Sequence, residues 1–251
     1  MAEPDSADSP LLARRNIGRK AIPVKAVTLD FYKTLAYHRA GIGRGRQYQH
    51  YLSAAGFTSD PWERRVLYEM FDYYAAAYSP TLTGDARLSF WTEFTRRLFE
   101  RTNVRAPEAI DYAEHSQAIR DIMGPNCFAL FDEALEVLRA LKAAGLLVGV
   151  ISDWQKGLKH FCDELGIGAY LDVVVASDEV GCSKPDPRLF ETARERLKVD
   201  AREILHVGDR IADVQGAQAA GFAAALLIRG EEPALVEAPV IGDLRGLLAL
   251  I

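Results

Sequence analysis

Val27-Thr28-Leu29-Asp30-Phe31-Tyr32-Lys33-Thr34-Leu35 is the stretch that decides the fold of this chain. A short apolar run ends in a single carboxylate, Asp30, and a threonine follows four residues later. An apolar, β-branched run of this length predicts a buried parallel strand. Such a strand would deliver Asp30 to the edge of a sheet, where it is a candidate nucleophile or metal ligand.

The composition is that of a globular protein, with 49% hydrophobic and 26% charged residues among 251. This length allows one large domain or a core with an inserted module. The formal net charge is −5 and no basic face dominates, so we expect no nucleic-acid partner. No apolar run approaches the roughly 18 residues that span a bilayer, so we expect no membrane partner.

Cys127, Cys162 and Cys182 show neither paired short spacing nor an even count. This pattern favours reduced thiols in a cytoplasmic protein over a disulfide framework or a zinc site. Residues 1–22 mix prolines, acidic residues and a basic group without an apolar centre, which is not typical of a secretory signal. We predict a disordered N-terminal tail there.

Residues 36–124 contain no second β-rich run, and their apolar side chains recur at helical spacing. These side chains are Trp62, Val66, Leu67, Met70, Phe71 and Tyr74 in one segment and Phe90, Trp91, Phe94 and Leu98 in the next. The pattern predicts an all-helical module inserted directly after the first strand.

Strands and helices alternate in residues 125–251. Apolar runs predict strands at 146–151, 173–175, 204–207 and 223–228, and amphipathic segments predict helices at 131–144, 157–165, 187–197, 211–220 and 243–250. The alternation predicts an α/β core of residues 23–35 and 125–251, a Rossmann-like parallel sheet with helices on both faces. Ligands of such sheets bind at the carboxyl ends of the strands, where Asp30, Ser152 and Asp209 fall.

The polar residues beside these strand ends fit the chemistry of phosphoryl transfer. A carboxylate such as Asp30 can attack phosphorus, which divides one difficult displacement into two easier steps. The ammonium of Lys184 and the hydroxyl of Ser152 can offset charge on the phosphoryl oxygens. Asp30 and Asp209 offer the hard oxygen ligands that Mg²⁺ prefers.

Four segments of the chain resemble the motifs of the haloacid dehalogenase-like (HAD) hydrolase superfamily. Asp30-Phe31-Tyr32-Lys33-Thr34-Leu35 is similar to the first motif and Val150-Ile151-Ser152-Asp153 to the second. Gly181-Cys182-Ser183-Lys184-Pro185-Asp186-Pro187 is similar to the third, and Val207-Gly208-Asp209 through Asp213 to the metal-binding form of the fourth. The resemblance runs from Val24 onward and implies subfamily I, with residues 36–124 as a helical C1 cap.

The resemblance also implies a role for each motif residue. Asp30 would be the nucleophile, Ser152 would bind the phosphoryl group and Lys184 would stabilise its charge. Asp209 would bind Mg²⁺ together with Asp30 and the backbone carbonyl of Tyr32. The expected partner is then a small phosphorylated molecule.

Two further acidic residues complete this interpretation. Asp213 would hold the water shell of the metal or bind Lys184. Asp153 is expected to cap the helix that follows it. The enzyme is expected to be a monomer or a homodimer.

Tyr32 departs from the phosphatase pattern, which has a second aspartate at this position to transfer protons. A phenol can donate a proton at neutral pH but is a poor acceptor there. Hydrolysis of an aspartyl-phosphate would then be slowed roughly 10²–10⁴-fold unless another group substitutes. His38, Asp153 or a residue of the helical module are the candidates.

The residues therefore leave three functions open. A tyrosine at this position is typical of the metal-independent 2-haloacid dehalogenases of the family, whereas Asp209 favours a metal site and a phosphatase. A weakened binding or regulatory protein on the same fold is the third. The sequence also leaves open which residues of the inserted module face the site: Tyr37, His38, Arg39, Arg44, Arg46 or its aromatic side chains.

Overall fold

The computed structural model describes residues 24–79, 81–230 and 236–251. The tail predicted at residues 1–22 lies outside the described residues. The described strands are β1 Ala26–Leu29, β2 Ala36–His38, β3 Phe128–Leu130, β4 Leu147–Ser152, β5 Val173–Ala176, β6 Ile204–Gly208, β7 Ala223–Leu227 and β8 Val240–Ile241. Six of them form a parallel sheet in the order β5-β4-β1-β6-β7-β8.

Helices cover both faces of this sheet, which confirms the predicted α/β, Rossmann-like fold class. They are α1 Arg44–Ala54, α2 Arg64–Ala77, α3 Gly84–Arg101, α4 Tyr112–Met123, α5 Ala134–Ala143, α6 Leu158–Glu164, α7 Ser177–Val180, α8 Pro187–Leu197 and α9 Ile211–Ala219. None of these helices is both long and apolar enough to cross a lipid bilayer.

Successive side chains of a sheet strand point alternately into two hydrophobic cores, one on each face of the sheet. Val27 and Leu29 of β1 pack in the core that includes α5 and α6, whereas Ala26 packs in the core formed with α8 and α9. Every residue of β1 is buried on its own face. This burial explains why the strand reads as a nearly continuous apolar run.

The ends of several elements differ from the predicted ones. The helix predicted at 131–144 begins at Ala134, because residues 131–133 form a turn after β3. The final helix predicted at 243–250 is a 3₁₀ helix, Leu244–Ala249, started by the Asp243 side chain, which accepts the N–H groups of Arg245 and Gly246. The two-residue strand β8 was not predicted because it is too short to show a pattern.

Residues 36–124 hold α1 to α4, but they begin with a strand rather than a helix. β2 pairs antiparallel with β3, with Ala36 opposite Leu130 and His38 opposite Phe128. This ribbon joins the point where the chain enters the helical segment to the point where it leaves. Three-residue strands carry too little sequence signal to be predicted.

Candidate active site

The parallel register brings the carboxyl ends of β1, β4 and β6 together. Leu29 of β1 pairs with Val150 of β4 and with Val207 of β6. Asp30 comes next, and its backbone N–H donates to the carbonyl oxygen of Val207 at 2.9 Å. Ser152, the last residue of β4, is buried at the same edge of the sheet.

The Lys184 ammonium is completely buried and contacts two carboxylates. Its Nζ donates to Oδ1 of Asp30 at 2.7 Å and also to Oδ1 of Asp213. Burial alone would lower the pKa of Lys184, but the two adjacent negative charges outweigh it and raise that pKa above its ordinary value. Lys184 therefore stays charged at neutral pH and fixes one oxygen of Asp30.

Asp213 has hydrogen-bond partners on both of its oxygens. Oδ2 accepts the backbone N–H of Arg210 at 3.0 Å, and Oδ1 faces Lys184 and, at 3.4 Å, Nε2 of His206. Burial alone would raise the pKa of Asp213, but Lys184 and His206 together lower it below its usual range. Asp213 is thus held ionised, and its side chain supports Lys184.

His206 and Thr28 extend this network into the sheet, and the sequence reasoning gave them no role. Nδ1 of His206 lies 2.9 Å from Oγ1 of Thr28 on the neighbouring strand. Burial lowers the pKa of His206, so the imidazole is neutral, with its proton on Nε2 toward Asp213 and its Nδ1 accepting from Thr28. The available signal was a polar residue in the middle of each buried strand, because such residues need partners.

Gly208 is required by the close approach of Asp213. A Cβ atom at Gly208 would lie 2.2 Å from Cγ of Asp213, a distance that no side chain could occupy. The glycine therefore lets the Asp213 carboxylate reach Lys184 across the end of β6.

Asp209 completes a cluster of three carboxylates with Asp30 and Asp213, whose ligand oxygens all lie within 4.8 Å of one another. Burial and, to a smaller extent, the negative charges of Asp30 and Asp213 together raise the pKa of Asp209 to about 6. Lys184 contacts two of the three carboxylates, and the charges of Lys33 and Arg210 offset the raised pKa of Asp209 only in part, so the group keeps an excess of negative charge. A cluster of hard oxygen atoms with uncompensated charge fits a divalent cation such as Mg²⁺.

Asp153 does not cap the following helix, which corrects the sequence-based expectation. Its Oδ1 accepts the backbone N–H of Lys184 at 2.9 Å, and its Oδ2 accepts from Nη2 of Arg210 at 2.6 Å. α6 begins only at Leu158, after Gly157 in a left-handed conformation, and that start is too far along the chain for Asp153 to cap. Asp153 instead ties the Lys184 turn to the start of α9.

The turn after Asp30 is held by Arg229. Nη2 of Arg229 donates to the carbonyl oxygen of Thr34 at 2.9 Å, and Nη1 pairs with Glu133 at 2.6 Å. The hydroxyl of Thr34 is buried and has no hydrogen-bond partner among the residues that the structure describes. The sequence reasoning did not find Arg229, since nothing local links it to a turn 195 residues away.

Tyr32 is half-buried, and its ring packs edge-on against His38, with the ring centroids 5.3 Å apart. Both side chains line a cavity of about 530 Å³, together with Arg44, Trp62 and Trp154. Burial and, to a smaller extent, the adjacent charge of Arg44 together lower the pKa of His38 to about 4. His38 is therefore neutral at pH 7 and a weak proton acceptor.

The family model described as haloacid dehalogenase-like hydrolase matches residues 24–221 of this chain. The chain is 27% identical over 234 residues to haloacid dehalogenase-like hydrolase domain-containing protein 3 of Mus musculus, covering 91% of this chain and 81% of that protein. It is 27% identical over 222 residues to (S)-2-haloacid dehalogenase 1 of Pseudomonas sp. (strain CBS-3), covering 84% and 87%.

Two further similarities concern phosphatases. The chain is 32% identical over 108 residues to glyceraldehyde 3-phosphate phosphatase of Methanopyrus kandleri, which covers 40% of this chain and 44% of that protein. Its structure superposes on that of a HAD phosphatase from Thermococcus onnurineus with a TM-score of 0.59 and 21% identity, covering 90% and 97%. At this identity the superposition concerns the fold alone.

Proposed function

The chain belongs to the haloacid dehalogenase-like hydrolases and is a hydrolytic enzyme, and from this premise we propose that it is a Mg²⁺-dependent phosphatase of small phosphomonoesters. The observation that carries the proposal is the placement of Asp209. Its carboxylate lies beside those of Asp30 and Asp213, and burial together with these negative charges raises its pKa to about 6. An acid in this position is costly without a cation.

Asp30 is suited to act as the nucleophile because its two oxygens have different surroundings. Lys184 holds Oδ1, while Oδ2 accepts no hydrogen bond from the described part of the chain. Oδ2 would attack phosphorus, the ester P–O bond would break, and the leaving oxygen would take a proton. Water would then cleave the aspartyl-phosphate, which releases phosphate and restores the carboxylate.

The surrounding residues would bind the phosphoryl group and orient it for this attack. Lys184 and the hydroxyl of Ser152 would stabilise charge on the phosphoryl oxygens. Mg²⁺, when bound by Asp30, Asp209 and the backbone carbonyl of Tyr32, would offset the remaining negative charge. Asp213 would act on the water shell or through Lys184, and its two hydrogen-bonded oxygens favour the second role.

Tyr32 would serve the two steps unequally. Its phenol can donate a proton to the leaving oxygen but is a poor base for the attacking water. The other candidates for that base are restricted: Asp153 is bound to Lys184 and Arg210, and the pKa of His38 is only about 4. Hydrolysis of the aspartyl-phosphate is therefore proposed as the slow step.

A second candidate function is metal-independent 2-haloacid dehalogenation, with Asp30 displacing halide from carbon. Tyr32 favours it, as does the similarity to the Pseudomonas dehalogenase along most of the chain. Asp209 opposes it, because burial and the adjacent carboxylates raise the pKa of this acid and make its ionised form unfavourable without a cation. A binding or regulatory role would require the site to be silent in both reactions.

The deciding experiment measures two products under two conditions. We expect release of 4-nitrophenol from 4-nitrophenyl phosphate in the presence of Mg²⁺ and none in the presence of a chelator. Asp30→Asn should lower this rate by at least about 10³-fold, because it removes the nucleophile. Asp85→Asn, which removes one exposed acid from α3, should leave the rate unchanged and controls for net charge.

Halide release from 2-chloropropionate is the competing measurement. Halide release in chelator, with no phosphate release in Mg²⁺, would overturn the phosphatase proposal in favour of the dehalogenase. If a folded protein were inactive in both assays, the binding role would be favoured instead.

The same proposal assigns a role to the helical segment, a cellular compartment and an oligomeric state. α1 to α4 would act as the cap that closes over the substrate, and residues 36–124 would be its bounds. We propose a cytoplasmic enzyme, because Cys127, Cys162 and Cys182 are free thiols. We also propose that it acts as a monomer or homodimer.

A further inference from the structure

The cavity of about 530 Å³ lies directly beside the candidate active site. Tyr32, two residues after Asp30, and Trp154, two residues after Ser152, form its wall on the side of the sheet. The start of α1, with Arg44, and Trp62 form the wall on the side of the helical segment. A leaving group attached to a phosphorus atom at Asp30 would extend into this space, whose volume is in the range of small-molecule sites.

Three buried nitrogen atoms of the lining have no hydrogen-bond partner within residues 24–79, 81–230 and 236–251. They are Nη1 of Arg44, Nδ1 of His38 and Nε1 of Trp154. Arg44 and Trp154 are each only 7% exposed. The backbone of Cys127 also acts on the His38 ring, so Arg44 and Trp154 are the clearer cases. Buried polar atoms are rarely left unpaired, and these two point to a polar occupant.

Arg44 is a buried cation that has no anionic partner among the described residues. Its guanidinium lies over the rings of Phe71 and Trp154, 4.8 and 4.9 Å from their centroids. Burial lowers the pKa of Arg44, and the groups that act against this are the thiol of Cys127 and the phenol of Tyr74, which are both neutral at pH 7. No acidic side chain of the described residues lines the cavity.

An occupant that pairs with Arg44 must therefore carry a negative charge. A carboxylate matches the planar guanidinium with two parallel hydrogen bonds and neutralises its single charge. The indole N–H of Trp154 offers a further donor, and the rings of Tyr32 and Trp62 offer apolar surface to the carbon chain. A second phosphate would bring two charges to one buried cation, since the other arginine of the lining, Arg46, is exposed.

We propose that the substrate carries a carboxylate on its leaving group, which Arg44 and Trp154 bind in this cavity, so that the substrate class is the phosphorylated hydroxy acids. The proposal rests on the proposed phosphatase function. It adds a specificity determinant outside the catalytic carboxylates: Arg44 would select the substrate, and Lys184 would act on the phosphoryl group.

The test compares 3-phosphoglycerate with glycerol 3-phosphate, which differ in a carboxylate against a hydroxymethyl group. We expect kcat/KM of the wild type to be at least about tenfold higher for 3-phosphoglycerate, since a hydrogen bond to a charged group supplies this much discrimination. Arg44→Met should remove the preference through a raised KM for 3-phosphoglycerate. Its kcat/KM for glycerol 3-phosphate should fall by a smaller factor than its kcat/KM for 3-phosphoglycerate, because glycerol 3-phosphate lacks the carboxylate.

Two further variants guard against a merely structural effect. Trp154→Phe keeps the aromatic packing and removes only the N–H donor, so it should lower the preference by a smaller factor. Arg65→Met removes one exposed positive charge from α2, outside the cavity, and should leave the preference unchanged. If Arg44→Met fails to fold, Arg44→Lys and Trp154→Phe decide the matter, since both should reduce the preference.

Calorimetry on Asp30→Asn separates this proposal from the proposed function, because binding is then measured without turnover. Stronger binding of 3-phosphoglycerate than of glycerol 3-phosphate, lost in Asp30→Asn/Arg44→Met, would support the carboxylate site even if phosphatase activity were absent. Equal binding and equal hydrolysis of the two compounds would overturn the carboxylate site and leave the phosphatase standing. Equal binding without any hydrolysis would overturn both.

Discussion

The buried cation at the edge of the sheet has carboxylate partners, whereas the buried cation in the cavity beside it has none among the described residues. At the sheet edge, Lys184 is bound to Asp30 and Asp213, and His206 links Asp213 to Thr28. In the cavity, the guanidinium of Arg44 has aromatic rings around it, and its Nη1 has no partner among the described side chains and backbone groups.

The paired charges at the sheet edge suit a preorganised reaction centre, whereas the unpaired cation in the cavity suits the selection of a substrate. A paired network fixes its members before a substrate arrives, which is what a nucleophile and its supporting cation require. An unpaired buried cation costs free energy until an anion binds, and that cost is recovered only by a ligand that supplies the anion. The two regions should therefore respond differently when a single charge is removed.

Loss of Lys184 tests the paired region and should have the largest effect. Lys184→Met leaves the carboxylates of Asp30 and Asp213 buried without a counter-charge, which should lower the free energy of unfolding by about 3–5 kcal/mol and abolish turnover. Urea denaturation of the metal-free protein measures this change. Lys159→Met removes an exposed partner of Asp163 and should cost less than about 1 kcal/mol. Equal losses in the two variants would contradict the idea of a preorganised ion network.

Tyr32 belongs to both regions, because it follows the nucleophile and lines the cavity. Rapid mixing of the wild type with 4-nitrophenyl phosphate should give a burst of nitrophenol followed by a slow steady rate, since Tyr32 is a poor base. Tyr32→Asp should raise the steady rate on the order of 10²-fold by supplying that base. Tyr37→Asp, at an exposed tyrosine in β2, should change nothing. An absent burst with unchanged turnover in Tyr32→Asp would assign the proton transfer to another residue.

The sequence predicts the paired region better than the cavity, for a physical reason. Asp30, Ser152 and Asp209 each follow an apolar run, so a local pattern is enough to place them at strand ends. Contacts between distant residues leave no such pattern: the Thr28–His206 hydrogen bond joins residues 178 apart.

Asp153 and Arg44 are two further residues whose contacts with distant parts of the chain could not be predicted from the sequence. Asp153 was expected to cap a helix because a local contact was the only one visible in the sequence, whereas its partners lie 31 and 57 residues away. The sequence left open whether Arg44 faces the site, because its burial depends on rings contributed by α2 and by the segment after β4. Packing between segments, and not local propensity, decides both cases.

Asp209 forms no direct ion pair with a cation of the described residues, and the pH dependence of its effect on stability has a definite sign. Its pKa rises from the ordinary value to about 6 on folding, so its ionisation destabilises the metal-free fold as pH rises through this interval. Below about pH 3 the acid is largely neutral in both states, and Asp209→Asn should have little effect there. At pH 7.5 the same change should stabilise the metal-free protein by about 1–2 kcal/mol, reduced from the full shift because the site is partly open to solvent.

Thermal unfolding at the two pH values measures this effect. Saturating Mg²⁺ should reverse the order at pH 7.5, because the wild type alone keeps the full set of carboxylate ligands. A stabilisation by Asp209→Asn that is the same at pH 3 and pH 7.5 would contradict the assignment of the raised pKa to this cluster.

Loss of Arg44 tests the cavity and should have the smallest effect on the free energy of unfolding. Arg44→Met removes a buried charge that has no anionic partner in the described structure, so the desolvation cost it relieves offsets the lost contacts with the surrounding rings. We expect the free energy of unfolding of the ligand-free protein to change by less than about 1 kcal/mol, against 3–5 kcal/mol for Lys184→Met. The two substitutions are matched, since each replaces a buried cation by methionine. A loss above 3 kcal/mol for Arg44→Met would make Arg44 a structural cation of the helical segment, and the contrast between the two regions would disappear.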